Sequence, residues 1–121
     1  MELNNTKILS TLLFALMMLA FTYSKKTDPT GTWEYKAHTE EGHTGSFVIS
    51  EEDGALLGNL ESQGNEYTME NLKVEGNVMS FDVTTVDGIF CLVKGTIDGD
   101  TYSATLTVDY DDMRFEANRV K

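Results

Sequence analysis

Two histidines and two glutamates lie close together near the start of the chain and carry side chains that can bind Zn²⁺. They are His38, Glu40, Glu41 and His43. Structural zinc sites are usually tetrahedral and are held by Cys and His at characteristic spacings, and this spacing matches none of them. The segment is polar and typical of a hairpin loop, which positions ligands poorly. We therefore expect a solvated loop and no metal site.

The other acidic motifs and the single cysteine resemble parts of sites without completing one. Asp98-Gly99-Asp100 and the run Asp109–Asp112 lack the further spaced ligands and the closing Glu of a calcium loop, and such pairs are common in turns. Cys91 lies in an apolar run, as small core residues often do. Catalysis needs a nucleophile–base pair, paired carboxylates or a metal, and no such pattern is recognisable. We expect neither catalytic activity nor a cofactor.

The net charge limits the classes of partner that we expect. The chain carries a net charge of −11, which repels phosphate backbones and anionic membranes, so we expect no nucleic-acid role.

Ile8–Phe21 is an apolar run preceded by Lys7. It is shorter than the roughly 20 residues that span a bilayer and is typical of a signal peptide. We predict a signal peptide over 1–24, a polar leader over 25–30 and one domain over 31–121. An uncleaved anchor is the alternative.

Short alternating segments separated by turn residues follow the leader, which is typical of a β-sandwich or β-barrel. Apolar and polar residues alternate with period two, and no segment after residue 25 has a helical period. Near Glu70-Asn71 the alternation changes parity, which indicates a bulge or kink. Tight turns favour pairing between consecutive strands. The sequence therefore predicts an eight-stranded antiparallel up-and-down barrel, with strands over 32–38, 46–51, 56–61, 67–74, 78–84, 89–97, 101–108 and 113–120.

The alternation also assigns side chains to the inside of the barrel. Trp33 in the first strand and Arg119 in the last both have inward parity, so the guanidinium is expected to lie over the indole where these strands meet. Gly31 opens the same strand. An eight-stranded barrel is filled by its own side chains or holds one small ligand. The bulky inward residues that would line such a ligand are Tyr35, Phe47, Met69, Phe81, Tyr102 and Phe115.

At Gly31-Thr32-Trp33 and Arg119 the chain resembles the lipocalin and calycin group. It resembles more strongly the short bacterial lipocalin-like domains that have a Gly-Thr-Trp start and an element such as Gly95-Thr96-Ile97-Asp98-Gly99-Asp100. The resemblance covers about residues 30–121. It implies a lipocalin-like barrel exported to the bacterial periplasm or the extracellular space. The barrel is much shorter than a typical lipocalin, and no lipobox cysteine lies near residue 25.

Two hypotheses about function follow. In the first, the exported, non-catalytic barrel binds a small, mostly apolar molecule in its mouth, while Trp33 and Arg119 close the opposite end. In the second, the core is filled and the outer surface binds a protein, as an accessory or inhibitory module of a secreted hydrolase. Phe90 and Leu92, which have outward parity, are the candidate contact residues, together with the acidic loop over 39–45. After cleavage of the signal peptide we expect no membrane association.

Overall fold

The computed structural model describes residues 27–121, and every element in this range is a β-strand. The signal peptide predicted over 1–24 lies outside the described residues. In chain order the strands are β1 (Gly31–Ala37), β2 (His43–Glu52), β3 (Ala55–Ser62), β4 (Asn65–Thr68), β5 (Glu70–Glu75), β6 (Val78–Thr84), β7 (Phe90–Asp98), β8 (Thr101–Val108) and β9 (Asp111–Arg119).

The strands form one antiparallel sheet that curls into a nearly closed barrel. Its strand order is β4-β3-β2-β1-β9-β8-β7-β6-β5, so strands that pair are consecutive in the chain except for β1 and β9. In that pairing Trp33 lies opposite Arg119 and Ala37 lies opposite Phe115. The prediction of an all-β antiparallel barrel is confirmed.

The prediction of eight strands is wrong, because the fourth predicted strand is divided at Met69. Its first part, β4, pairs with β3, and its second part, β5, pairs with β6. The Met69 N–H donates to the Gly58 carbonyl at 2.9 Å. Asn71 then adopts a left-handed φ of 53°, and the register with β6 shifts between Glu70 and Lys73. This bulge lies where the alternation changes parity, and it gives nine strands over residues 27–121.

The gap between β3 and β5 is filled by side chains rather than by a full ladder of hydrogen bonds. A Cβ atom at Gly58 would lie 2.6 Å from the Met69 Sδ atom and 3.1 Å from a Leu72 methyl. The absence of a side chain at position 58 therefore lets Met69 and Leu72 pack across the gap. The two end strands of the sheet, β4 and β5, are consecutive in the chain, which is why the barrel is nearly closed.

The turns explain why the chain reverses so often within a short length. Asp53 and Gly54 connect β2 to β3 with φ values of 52° and 81°, and Gln63 and Gly64 repeat this pattern between β3 and β4. Two consecutive residues with positive φ are typical of the type I′ turn, whose twist matches that of paired strands. Such short connections keep neighbouring strands paired and leave the interior to side chains.

Within residues 27–121, no helix is long and apolar enough to cross a membrane.

Candidate functional site

One end of the barrel, which we call the closed end, is covered by Arg119 and the leader. Trp33 is fully buried there, and its Nε1–H donates to the Pro29 carbonyl at 2.9 Å. The Arg119 guanidinium carbon lies 4.5 Å from the centroid of the Trp33 ring. Its nitrogens donate to the carbonyls of Thr30 and Asp28. The cation therefore lies over the indole and holds the leader across this end. Gly31 has a positive φ of 125°, a conformation that favours glycine, and a Cβ atom there would lie 3.5 Å from the Arg119 side chain.

A cavity of about 470 Å³ lies beside Arg119 at the closed end, between the leader and the β7–β8 turn. Asp28, Asp98 and Asp100 contribute to its lining. Asp100 pairs with the Arg119 Nε atom at 3.0 Å and with Lys121 at 3.2 Å. Hydrogen bonds from the Thr30 backbone and hydroxyl hold the pKa of Asp28 below its usual range. These carboxylates place polar, charged groups beside the apolar Ile97 in the lining, so the cavity is a poor match for an apolar ligand.

The six residues predicted to line a ligand are all buried and belong to one core cluster. The ring centroids of Tyr35 and Phe115 are 4.9 Å apart, and those of Phe47 and Phe81 are 6.0 Å apart. Tyr102 meets Phe115 edge to face at 6.2 Å. These rings pack on one another in geometries that aromatic pairs favour. Met69 packs against Gly58 on the far wall. Their contact with a ligand stays a prediction.

The buried tyrosine hydroxyls are satisfied by backbone carbonyls. The Tyr35 hydroxyl donates to the Glu61 carbonyl at 3.2 Å, and the Tyr102 hydroxyl donates to the Met79 carbonyl at 2.9 Å. Burial raises the pKa of both phenols, so both remain neutral donors. A Cβ atom at Gly45 would lie 2.6 Å from the Tyr35 oxygen, so the absence of a side chain at position 45 leaves room for the Tyr35 hydroxyl. Neither tyrosine needs a ligand to complete its hydrogen bonding.

At the other end of the barrel, which we call the open end, inward-facing apolar side chains remain half-buried. Cys91, Val108 and Met113 are of this kind. Cys91 lies opposite Val83 on one side and Val108 on the other, and Met113 on β9 lies opposite Leu106 on β8. Burial raises the pKa of the Cys91 thiol, so it stays protonated near neutral pH. The alternation gives Val108 and Met113 inward parity, but neither was included among the residues predicted to line a ligand.

The outer face beside the β6–β7 hairpin is apolar. Phe90 is 54% exposed and Leu92 is 39% exposed, and the neighbouring Val86 and Ile89 are also exposed. Phe90 lies opposite Thr84, and Leu92 lies opposite Asp82. Phe90 and Leu92 thus lie on the outside of the barrel, where the alternation places them.

The residues considered for zinc are dispersed among separate pairs. His38 contacts Glu116 on β9 at 3.1 Å, and His43 contacts Glu41 at 3.4 Å. The His38 hydrogen bond lowers the pKa of Glu116. Over residues 27–121, no group of three or more His, Cys, Asp or Glu side chains is placed to hold a metal ion.

The fold and its interior define an all-β, antiparallel, nearly closed barrel. No protein-family model matches the chain, and no curated protein matches it. Among solved structures it is similar to a de novo designed fluorescence-activating β-barrel, with a TM-score of 0.54 and 13% sequence identity. The match covers 76% of this chain and 93% of the designed one. A likeness at this identity establishes a shared barrel fold.

Proposed function

We propose that this protein is an exported, non-catalytic, lipocalin-like barrel that binds a small, mostly apolar molecule at its open end. The observation that carries the proposal is the leader, which crosses one end of the barrel and not the other. At one end Arg119 and the leader cover Trp33, whereas at the other end Cys91, Val108 and Met113 face inward and remain half-buried. The similar designed barrel is fluorescence-activating, which is consistent with small-molecule binding by this architecture.

The register indicates how the open end would hold such a molecule. Val83, Cys91 and Val108 form one row across three strands, and Phe81 with Leu106 lies in the next row inward. A ligand at the open end would therefore contact the first row and rest on the second. The aromatic cluster deeper in the barrel supports this floor, because its rings already pack on one another. The ligand site would thus be a shallow mouth rather than a deep cavity.

The ligand's chemistry follows from the groups in this mouth. The first row is made of aliphatic and thiol side chains, and Met113 adds a thioether beside Leu106 in the second row. These groups favour apolar surface, and methionine adapts to different shapes. Burying apolar area contributes about 25 cal/mol per Å². A shallow mouth buries only part of a small molecule, so we expect modest affinity and broad selectivity.

Cys91 provides a direct test, because it is the only cysteine of the chain and lies in the mouth. The experiment begins with native mass spectrometry of protein purified gently from exporting cells, where a bound molecule appears as added mass that denaturation removes. Anilinonaphthalene sulfonate is then the probe for the apolar site. Its binding should slow alkylation of Cys91, and the native mass should also reveal whether the signal peptide has been removed.

A matched pair of variants on β8 distinguishes probe binding in the mouth from nonspecific probe binding to the protein surface. Val108→Lys places a charge in the mouth and should abolish the probe's protection of Cys91. Thr105→Lys places the same charge on the exposed outer face of the same strand and should leave protection intact. Equal protection in both variants, with both folded by circular dichroism, would refute a ligand site at the open end.

The exposed pair Phe90 and Leu92 favours a second candidate, a protein-binding outer surface. On this alternative the barrel core is filled, and an accessory or inhibitory module contacts a secreted hydrolase through this face. Replacing both residues with Ser should abolish association with a partner while the thermal midpoint and the mouth's probe binding are kept. Loss of probe binding in the same variant would argue against a separate outer site.

A further inference from the structure

Asp82 is buried although it points to the outside of the barrel. It lies on β6 between Phe81 and Val83, which face inward, so its own side chain has outward parity. Outward positions of this barrel are mostly exposed, yet only 6% of Asp82 is exposed. A carboxylate removed from water is costly unless hydrogen bonds or an opposite charge compensate it. The surroundings of Asp82 therefore need an explanation.

The bulge in β5 covers Asp82. Asn71 has a left-handed φ of 53°, a conformation that asparagine tolerates better than most residues. Its side-chain amide donates from Nδ2 to the Asp82 Oδ2 atom at 2.7 Å. The other carboxylate oxygen, Oδ1, is buried and has no hydrogen-bond partner. One carboxylate oxygen of Asp82 therefore has a hydrogen-bond donor, and the other has none.

A second acidic residue lies across the β5–β6 ladder from Asp82. Glu70 is the residue opposite Asp82 in the β5–β6 ladder. Opposite residues in an antiparallel pair share one face, with Cβ atoms about 4.5–5.5 Å apart, and like charges in such a pair are destabilising. Because Asn71 uses its amide nitrogen on Asp82, its side-chain carbonyl is available to a further ligand. Two acidic residues and one asparagine are therefore neighbours at the bulge.

The protein's own cations do not neutralise this cluster. Lys73 and Lys94 lie on either side of Ser80, two positions from Asp82. Lys73 pairs instead with Glu75, at 3.7 Å. Among the ion pairs of residues 27–121, none within 4.0 Å involves Asp82 or Glu70.

We propose that Glu70, Asn71 and Asp82 form a binding site for a hard divalent cation, with Ca²⁺ as the best match. All three would provide oxygen ligands, which Ca²⁺ and Mg²⁺ prefer, and water would complete the coordination. Ca²⁺ accepts irregular geometry, whereas Mg²⁺ demands a near-ideal octahedron, and a bulge offers irregular positions. The cation would compensate the free Asp82 oxygen and fasten β5 to β6 beside the gap in the barrel.

The test is the thermal unfolding of the purified protein in chelator and in CaCl₂. Three protein oxygen ligands give a weak site, with a Kd on the order of 10⁻⁴–10⁻³ M, as in extracellular calcium modules. With free Ca²⁺ about tenfold above Kd, the midpoint of the wild-type protein should rise by about 5–10 °C. Isothermal titration of the same protein with CaCl₂ should give one binding site.

Variants distinguish a defined site from general screening of an acidic protein. Asp82→Asn keeps the size of the side chain and should remove most of the rise, as should Glu70→Gln, which changes an exposed residue and should not perturb folding. Asp87→Asn makes the same change in charge in the exposed β6–β7 turn and should retain the full rise. Asn71→Asp adds a carboxylate, so it should lower the midpoint in chelator and bind Ca²⁺ more tightly.

Two outcomes would overturn the proposal. One is a midpoint that does not rise with Ca²⁺ in the wild-type protein. The other is a rise of equal size in Glu70→Gln, Asp82→Asn and Asp87→Asn, which would be nonspecific screening. Neither outcome depends on the open end, so the cation site and the apolar ligand site are tested independently.

Discussion

Replacing Arg119 with Met should destabilise the barrel substantially without changing its strand pairing. The methionine keeps an apolar side chain over Trp33 but removes the guanidinium that lies 4.5 Å above the ring. The cation–π contact is worth about 0.5–2 kcal/mol. The guanidinium also donates to backbone carbonyls of the leader and of the β7–β8 turn, and a hydrogen bond to a charged group contributes about 1.5–3 kcal/mol.

The net loss is smaller than the sum of these contributions, because water can reach the carbonyls that Arg119 leaves behind. The ion pair with Asp100 is partly exposed and adds at most about 1 kcal/mol. We expect a decrease of about 2–4 kcal/mol in the free energy of unfolding. For a domain of this size that corresponds to a fall of about 10–25 °C in the thermal midpoint.

The assay is thermal unfolding followed by tryptophan fluorescence. Trp33 is the only tryptophan of the chain and lies beneath the substituted residue, so its emission reports directly on the closed end. Detachment of the leader from the closed end should expose the indole and shift its emission to the red before the barrel unfolds. The matched control is Arg114→Met on the same strand, where the side chain is mostly exposed and pairs only with Glu116.

The control should move the midpoint little, because exposed ion pairs contribute about 0–1 kcal/mol. A fall below about 3 °C in Arg119→Met, or one equal to that of the control, would refute the energetic role given to the guanidinium.

Two further predictions concern packing and pH. Gly95→Ala should destabilise the fold by about 1–3 kcal/mol or more, because its Cβ would lie 2.1 Å from the Ser103 carbonyl oxygen; urea unfolding measures this, and a neutral result would mean that β7 and β8 separate easily. Hydrogen bonds from Thr30 hold the pKa of Asp28 in the folded protein below its usual value of 3.8. The contribution of ionised Asp28 to stability is therefore present above pH 3.8 and is lost as the pH falls through the lower pKa of the folded state. Asp28→Asn should therefore flatten the dependence of stability on pH in this acidic window, and parallel curves for both proteins would contradict the assignment.

The alternation of the sequence was sufficient to predict which side chains face inward, because period two fixes the face on every regular strand. Trp33, Tyr102 and Phe115 are buried as it requires. The number of strands could not be obtained in this way. The change of parity near Asn71 located the bulge, but the division into β4 and β5 depends on which neighbour each half pairs with.

Other features depend on where distant backbone segments approach each other. The Tyr35 hydroxyl finds its acceptor at Glu61, 26 residues away, and no local pattern specifies that carbonyl. The burial of Asp82 was equally hidden, since its outward parity predicts an exposed side chain. The sequence placed the mouth opposite the end that Trp33 and Arg119 close, but period two gives only the face of a side chain and not its depth in the barrel, which is why Val108 and Met113 were not included in the predicted lining.

The pairing of β1 with β9 also determines when the barrel can assemble during synthesis. Until Arg119 has been made, β1 and β8 each keep an unpaired edge, and the indole of Trp33 lacks its cation. Contacts between residues so distant in sequence form slowly, because a long loop must be ordered before they stabilise it. A growing chain therefore stays open, and chaperones can engage it for as long as β9 is missing.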